Sequence, residues 1–203
     1  MIAWVKTLTY AESSGVLRQV YDKIRGARPE PHNLYRAHSL RPHTVLAADY
    51  LYKTVLHWPD NTLPKWLAEL ISTYTAHLCQ CDYAVSNHGA NFRQFYGDEV
   101  AAEKIWIAVC DDQAHTVLDA KPVAMLHYTR KLTLTPGTVN ADDILAMRNA
   151  GADDGEVVEV NQLCSSFNYY ARVLNGLGVE LDPGPVGLTD LDRVRTSNTE
   201  DPI

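Results

Sequence analysis

The sequence has no excess of basic residues and no long apolar run, and each absence excludes a class of protein. Lys and Arg number 18 against 25 Asp and Glu, so the formal net charge is −7. An extended phosphate backbone would have to bind against the field of the protein itself, and we expect no nucleic-acid partner. No apolar segment approaches the roughly 20 residues that a membrane-spanning helix needs, so we expect no membrane partner.

A secretion signal and a disulfide framework are also missing. Residues 1–14, MIAWVKTLTYAESS, contain no basic stretch followed by an apolar one. A chain of 203 residues is large enough to bury a core without disulfide staples. Its cysteines are unevenly spaced, at Cys79, Cys81, Cys110 and Cys164. We therefore expect a cytoplasmic protein with reduced thiols.

The alternating pattern of a strand is absent as well, and helical periodicity dominates. We predict an all-α fold with one domain over residues 1–182. The predicted helices span about 11–26, 33–40, 42–58, 64–78, 81–95, 98–109, 124–134, 142–150 and 155–177. The expected N-caps are Asp98 and Asn140, and the expected C-terminal stops are Gly97 and the glycines at 176 and 178. Residues 183–203 hold few large apolar side chains, so we expect an extended or disordered tail.

Reactive side chains are concentrated between Glu69 and His88, in the segment ELISTYTAHLCQCDYAVSNH. If a helix begins at Cys81, then Cys81, Ala84 and His88 share one face, because they lie at i, i+3 and i+7. A thiol and an imidazole then face the same space. A cysteine in place of Ala84 would complete a C-x-x-C pair at a helix start, the usual arrangement for a fast dithiol–disulfide cycle. The segment therefore predicts a reactive site that has one thiol where a redox pair has two.

The spacing of Glu69, Cys81 and His88 resembles the E-x11-C-x-x-C-x3-H signature of the alkylhydroperoxidase D-like and carboxymuconolactone decarboxylase-like superfamily. The resemblance extends over roughly residues 5–182 and is most specific in LPKWLAELISTYTAHL and FNYYARVLNGLGVE. These segments are similar to the peroxidase-related branch. The resemblance implies a fold of packed helices that assembles as a homotrimer or homohexamer, with the site close to subunit contacts.

The resemblance also implies roles for individual residues. Glu69, Cys81 and His88 match the catalytic positions, and Ala84 takes the place of the second cysteine, the thiol that attacks peroxide in the family. The implied function is an oxidoreductase that reduces a peroxide or another small oxidant, in an antioxidant role, with an external thiol as reductant and no cofactor. A thiol near a helix N-terminus and an imidazole is expected to have a lowered pKa.

The residues themselves leave other functions open. A sulfenic acid on Cys81 needs a second thiol to resolve it, and Cys79 is the nearest candidate in the sequence. His88 and Glu69 alone are sufficient for acid/base chemistry, as in a decarboxylase, lyase or isomerase of a small organic acid or lactone. A non-catalytic oligomer that binds a small ligand is the third hypothesis.

Other residues of the segment are candidates for the pocket or for a metal. Tyr74, His77 and Tyr83 are close to the signature in sequence and are candidate pocket residues. A zinc ion accepts two nitrogen and two sulfur ligands, and the candidate set is His77, Cys79, Cys81 and His88. That set converges only if the helix breaks between residues 78 and 80. The resemblance also places the N-terminal helices over the site, which makes His32, His38 and His43 candidates for its lining.

Overall fold

The computed structural model describes residues 1–189, and residues 190–203 of the predicted tail lie outside the described part. The described chain is all-α, as predicted, and contains no strand. Its helices are α1 Gly15–Ile24, α2 Asn33–Ala37, α3 His43–His57, α4 Lys65–Leu78, α5 Asp82–Tyr96, α6 Glu99–Cys110, α7 Ala120–Leu134, α8 Ala141–Asn149 and α9 Asp154–Leu177. None of these described helices combines the length and the apolar character that crossing a bilayer demands.

The predicted helix ends are confirmed where a capping side chain or a glycine defines them. The carboxylate of Asp98 accepts the N–H of Ala101 at 3.0 Å, and Asn140 forms a reciprocal capping box at the start of α8. Gly97 and Gly178 adopt the left-handed conformation that ends α5 and α9. These ends follow from local chemistry, so the sequence predicts them well.

Two helix starts differ from the prediction for local reasons. Helix α1 begins at Gly15 rather than at Ala11, because Thr9 and Glu12 bond each other's backbone N–H groups and close a separate turn first. Helix α7 begins at Ala120, four residues before the predicted start, because Pro122 lies in the first turn, where a helix tolerates proline.

Helix α4 is the centre of the fold and carries one half of the candidate site. Ten of its 14 residues are buried, and it packs against α5, α7 and α9. Its buried hydroxyl groups are satisfied within the helix: Ser72, Thr73 and Thr75 each donate to the carbonyl four residues earlier at 2.7–2.8 Å. Leu70 is fully buried, and its truncation to alanine is expected to cost about 2–5 kcal/mol.

A sharp turn joins α4 to α5 and determines which side chains meet. Gln80 has φ +55°, and the N–H of Cys81 bonds the carbonyl of Ala76 at 2.9 Å, which closes α4 with a Schellman-type bond. Cys81 is therefore the N-cap of α5 and has a non-helical backbone, with φ −106° and ψ 88°. The turn sends α5 back along α4, so that residues far apart in sequence face each other.

The segment after α9 returns across the start of the fold and over α5. The N–H of Glu180 bonds the carbonyl of Ile2, and the N–H of Trp4 bonds the carbonyl of Leu177. Residues 183–189 form neither helix nor strand. They are nevertheless bound to the domain: the N–H groups of Gly187 and Leu188 donate to side chains of α5.

Candidate active site

A buried carboxylate–imidazole pair connects α4 with α5. His88 Nδ1 lies 2.7 Å from Glu69 Oε2, with only 12% of the histidine side chain and 2% of the glutamate side chain exposed. Because an ionised carboxylate only accepts hydrogen bonds, Nδ1 carries the proton and donates it. Nε2 is then the ring nitrogen available to a ligand. The structure thus brings together two of the three predicted catalytic residues.

The second oxygen of Glu69 is also bound. Asn91, one turn after His88 on α5, donates its side-chain amide to Glu69 Oε1 at 3.2 Å. The His88 ring packs in edge-to-face arrangements against Phe167, with ring centroids 4.5 Å apart, and against Tyr52, with ring centroids 6.1 Å apart. The orientation of the imidazole is therefore set by hydrogen bonding at one nitrogen and by aromatic packing around the ring.

A cavity of about 80 Å³ adjoins His88. A single water needs about 10–15 Å³, so the cavity accommodates several waters or one small organic molecule. Its walls are mostly aromatic and aliphatic, with a few amide and imidazole groups. The lining residues are His32, Leu34, Tyr35, Tyr52, Tyr83, Ala84, Asn87, His88, Asn91, Phe167, Tyr170, Leu174, Gly187 and Leu188.

Asp182 binds two residues of the cavity wall, His32 and Tyr83. Tyr83 donates its hydroxyl to Asp182 Oδ2 at 2.6 Å, and His32 Nδ1 lies 3.1 Å from the same oxygen. The backbone N–H of Asn33 donates to the other oxygen at 2.8 Å. Burial by itself pushes the pKa of Asp182 upward, yet the hydrogen bonds from His32, Tyr83 and Asn33 outweigh it and lower the pKa below its ordinary value. The carboxylate is therefore ionised at neutral pH and holds both lining residues in place.

Cys81, the third predicted catalytic residue, lies outside this cavity among the described residues. It is fully buried in an apolar cluster that also contains Ala84 and Leu174, and of these three only Ala84 and Leu174 line the cavity. Burial raises the pKa of the Cys81 thiol above its ordinary value, and the backbone N–H groups of Ala84 and Tyr83 offset the effect only partly. The expected lowering of this pKa is wrong, because desolvation outweighs the helix N-terminus.

The candidate resolving thiol, Cys79, faces α9 rather than the cavity. Its Sγ lies 3.5 Å from Asn168 Oδ1 and 3.9 Å from Arg172 Nη1. Burial raises its pKa, with Arg172 opposing the effect. All four cysteines are free thiols in this structure, and the reduced state of the protein stays a prediction. Whether Cys79 resolves an oxidised Cys81 stays a prediction.

Two of the three candidate pocket residues lie elsewhere. The hydroxyl of Tyr74 accepts a hydrogen bond from Arg130 at 3.3 Å, and His77 is an exposed residue that packs edge-on against Trp106. Neither lines the cavity, whereas Tyr83 does. The prediction was wrong for Tyr74 because a residue five positions after Glu69 lies about 140° around the helix.

The candidate zinc set is not assembled. The helix does break at Gln80, but His77 is exposed at the surface while Cys81 is buried in the apolar cluster, and His88 is bonded to Glu69. Within residues 1–189, no three His, Cys, Asp or Glu side chains are placed to hold a metal ion. The zinc hypothesis is therefore wrong for these residues.

Several residues that form the candidate site are not among the residues that the sequence predicts. Helical spacing is sufficient to predict Asn87 and Asn91 as site residues, since they share the face of α5 that carries Ala84 and His88. His32 was named as a candidate and does line the cavity. Asp182 gave no signal, because its partners are about 100 to 150 positions away in sequence and no periodicity connects them.

Comparisons with known proteins show which solved structures share this fold. No protein-family model and no curated protein matches the sequence. A solved structure described as the alkylhydroperoxidase AhpD core of an uncharacterized peroxidase-related protein from Ralstonia eutropha is 22% identical, with 90% of this chain and 94% of that chain covered and a TM-score of 0.75. An uncharacterized peroxidase-related protein from a Silicibacter species is also 22% identical, with 75% and 77% covered and a TM-score of 0.65.

The debrominase Bmp8 has the same architecture. It is 11% identical, with 98% of each chain covered and a TM-score of 0.68. A cysteine-to-alanine variant of that debrominase, solved in complex with 2,3,4-tribromopyrrole, is 11% identical, with 91% and 88% covered and a TM-score of 0.63. At this level of identity the likeness shows the fold. The chain therefore has the all-α fold of the alkylhydroperoxidase D-like, peroxidase-related proteins.

Proposed function

We propose that this protein is an acid/base enzyme in which His88, oriented by Glu69, transfers a proton on a small, neutral and largely apolar organic molecule. The observation that carries the proposal is the 2.7 Å bond between His88 Nδ1 and Glu69 Oε2 at the wall of a cavity. The methyl group of Ala84 lines that cavity, while the nearest thiol in sequence, Cys81, is buried behind it. The site thus presents an imidazole to a ligand, and no thiol.

The chemistry follows from the position of the protons. Nδ1 donates to Glu69, so Nε2 of His88 has a lone pair that accepts a proton from a carbon next to a carbonyl group. The electron pair of the broken C–H bond moves to the carbonyl oxygen, and the carboxylate of Glu69 stabilises the imidazolium that forms. In a β,γ-unsaturated carbonyl compound, return of the proton to the γ-carbon gives an isomer, and in a saturated ketone or lactone the proton returns to the same carbon and gives exchange. A positioned base of this kind contributes about 10²–10⁴-fold to the rate.

The cavity lining supports a neutral substrate. Among the described residues that form it there is no Lys or Arg, and the Asp182 carboxylate already adds negative charge to one wall. A carboxylate substrate would lose its hydration without gaining a cationic partner, which is costly. A lactone or a cyclic ketone fits the aromatic and aliphatic walls better. The tribromopyrrole complex of the Bmp8 variant shows that one protein of this fold holds a small apolar ring.

Thiol redox chemistry at Cys81 is the second candidate function, favoured by the peroxidase-related neighbours and by the closeness of Cys79. The Cys81 thiolate would attack a hydroperoxide, break the O–O bond and become a sulfenic acid as an alcohol leaves. The Cys79 thiol would condense with it, releasing water and leaving a disulfide that two equivalents of an external thiol reduce. The full burial of Cys81 and its raised pKa weigh against this route.

Proton exchange measures the proposed activity directly. The wild-type protein is incubated in D₂O with γ-butyrolactone, cyclopentanone and 2-pentanone, and loss of the α-proton signals is followed by ¹H NMR. We expect exchange above the buffer rate, and none with His88→Ala. The anionic ketone levulinate serves as the charged control for 2-pentanone and is expected to exchange at least about tenfold more slowly, since its carboxylate is unpaired in the cavity. Absence of exchange together with absence of peroxide consumption would favour a ligand-binding protein without catalysis.

The subunit assembly is part of the same proposal. Large apolar side chains are exposed on several elements, with Trp4 74% and Val100 69% accessible, which supports burial of some of them between subunits. We infer a homotrimer or homohexamer, as the sequence resemblance implies. Light scattering on the purified protein gives the subunit number.

A further inference from the structure

The segment of residues 182–188, here called the strap, crosses the candidate site between two fixed ends. At its start Asp182 is held by His32, Tyr83 and the N–H of Asn33 at 2.6–3.1 Å. The side-chain amide of Asn33 also donates to the carbonyls of residues 180 and 181 at 3.0 and 3.2 Å. The first end of the strap is therefore anchored to the beginning of α2 and to α5.

The far end of the strap is bound to the face of α5 that carries His88. The N–H of Gly187 donates to Asn87 Oδ1 at 3.0 Å, and the N–H of Leu188 donates to Asn91 Oδ1 at 2.6 Å. Gly187 has φ +81°, and a Cβ added there would lie 2.7 Å from Asn91 Oδ1 and 3.0 Å from Ala90 Cβ. Only glycine combines this conformation with so close an approach.

Asn91 joins the strap to the catalytic pair through the two ends of one amide. Its oxygen accepts the N–H of Leu188, and its nitrogen donates to Glu69 Oε1 at 3.2 Å. A backbone N–H is always a donor, so the strap fixes the orientation of the amide and requires the NH₂ group to face Glu69. The side chain of Asn91 is buried, with 2% of the residue exposed, so solvent does not replace either bond at low cost.

We propose that the strap completes the candidate site and that Asn91 is a positioning residue. The docked strap orients the Asn91 amide, the amide bonds Glu69, and Glu69 in turn orients His88. Two strap residues, Gly187 and Leu188, line the cavity, so the strap also forms part of the ligand-binding surface. When the strap is docked, both oxygens of Glu69 are bonded and His88 keeps its proton on Nδ1. The catalytic meaning of this arrangement rests on the proposed function, but the arrangement itself is testable without a substrate.

The test uses the protonation state of His88 as its readout. Long-range ¹H–¹⁵N correlation spectra distinguish a proton on Nδ1 from one on Nε2, and the His88 signals are assigned by comparison with His88→Gln. Gly187→Ala displaces the strap without altering any atom of Asn91 or Glu69. Gly184→Ala is the matched control, since Gly184 lies in the same segment and also has positive φ, but an added Cβ would meet nothing within 4 Å. Asn91→Leu removes the coupling amide, and thermal melts confirm that each variant is folded.

The wild type and Gly184→Ala are expected to keep the Nδ1 proton as the dominant state. Gly187→Ala and Asn91→Leu are expected to raise the ratio of Nε2-protonated to Nδ1-protonated His88 by about tenfold, as the loss of one hydrogen bond to a carboxylate implies. A Gly187→Ala protein with wild-type His88 signals overturns the coupling, and so does a wild-type spectrum for Asn91→Leu. If Gly187→Ala fails to fold, the Asn91→Leu spectrum alone decides. Failure of the exchange assay with an intact Nδ1 signature would refute the proposed function and leave the strap assignment in place.

Discussion

The two sides of the α4–α5 turn hold reactive groups that the sequence predicted to form one site, yet their surroundings differ. On the cavity side, Glu69, His88 and Asn91 are joined by hydrogen bonds and His88 borders the cavity. On the sulfur side, Cys79 and Cys81 are partly or fully buried, and burial raises the pKa of both thiols. The polar groups are thus arranged for proton transfer, whereas the thiols are protonated at neutral pH.

Position 84 lies where the cavity side and the sulfur side meet. Ala84 belongs to the apolar cluster around Cys81 and also lines the cavity near His88. A thiol at this position would lie in the cavity and close to the buried thiol. With a methyl group there, the contact between the cavity side and the sulfur side is apolar, and of Cys81 and His88 the described cavity lining contains His88 alone.

Removing the charge of Glu69 is expected to have the largest effect. Glu69→Gln keeps the shape of the side chain but loses the carboxylate that stabilises an imidazolium, so proton exchange should fall by about 10²–10⁴-fold. Stability should fall by about 1.5–3 kcal/mol, the usual range for a hydrogen bond to a charged group. Exchange rates and urea unfolding measure the two effects. Glu103→Gln, which removes the partner of Arg93 in a half-exposed ion pair, should change neither by much.

A thiol introduced at position 84 is expected to bring the cavity side and the sulfur side together in one redox site. Ala84→Cys places a sulfur in the cavity near His88 and completes a pair with Cys81, so consumption of tert-butyl hydroperoxide with dithiothreitol should appear where the wild type shows none. Ala84→Ser provides a hydroxyl of similar size without redox chemistry and is the control. Peroxide consumption by the wild type equal to that of Ala84→Cys would show that Cys81 already reacts and would contradict the description of the sulfur side.

Thiol labelling is expected to rank the cysteines by burial. At pH 7 to 8, 5,5′-dithiobis(2-nitrobenzoate) should modify Cys79 and Cys110, which are partly exposed, before Cys81 and Cys164, which are fully buried. Burial raises the pKa of Cys110 to about 11, so Cys110 should react slowly for an accessible thiol. Mass spectrometry after tryptic digestion identifies the labelled positions. Labelling of Cys81 first would mean that its thiol is accessible and ionised.

The smallest effect is expected at the anchor of the strap. The pKa of Asp182 lies below its ordinary value of 3.8, so its ionised form stabilises the fold at pH values above about 3.8, and this contribution disappears as the pH falls through the lower, folded-state pKa. Asp182→Asn should therefore reduce the free energy of unfolding by about 1 kcal/mol at pH 7 and by less at pH 3. Asp60→Asn, a change in the exposed loop before α4, is the control.

The sequence predicts the fold and the centre of the site because both depend on local patterns. Helical periodicity, capping residues and the spacing from Glu69 to His88 require only the geometry of α4 and α5. The prediction that Cys81 shares a face with Ala84 and His88 fails because Cys81 is the N-cap. Its backbone is non-helical, so the helical spacing that holds for Ala84 and His88 does not apply to it. The strap was not predictable, since Asp182 and Leu188 meet α5 through contacts across about 100 positions of sequence.

In the proposed function the cavity side, and not the sulfur side, carries the activity. The most direct measurement compares Cys81→Ser with His88→Ala in the same D₂O exchange assay, on the neutral ketone that the wild type exchanges fastest. We expect that Cys81→Ser retains exchange within about threefold of the wild type, whereas His88→Ala loses at least about 10²-fold. Loss of activity in Cys81→Ser with retention in His88→Ala would contradict the proposed function.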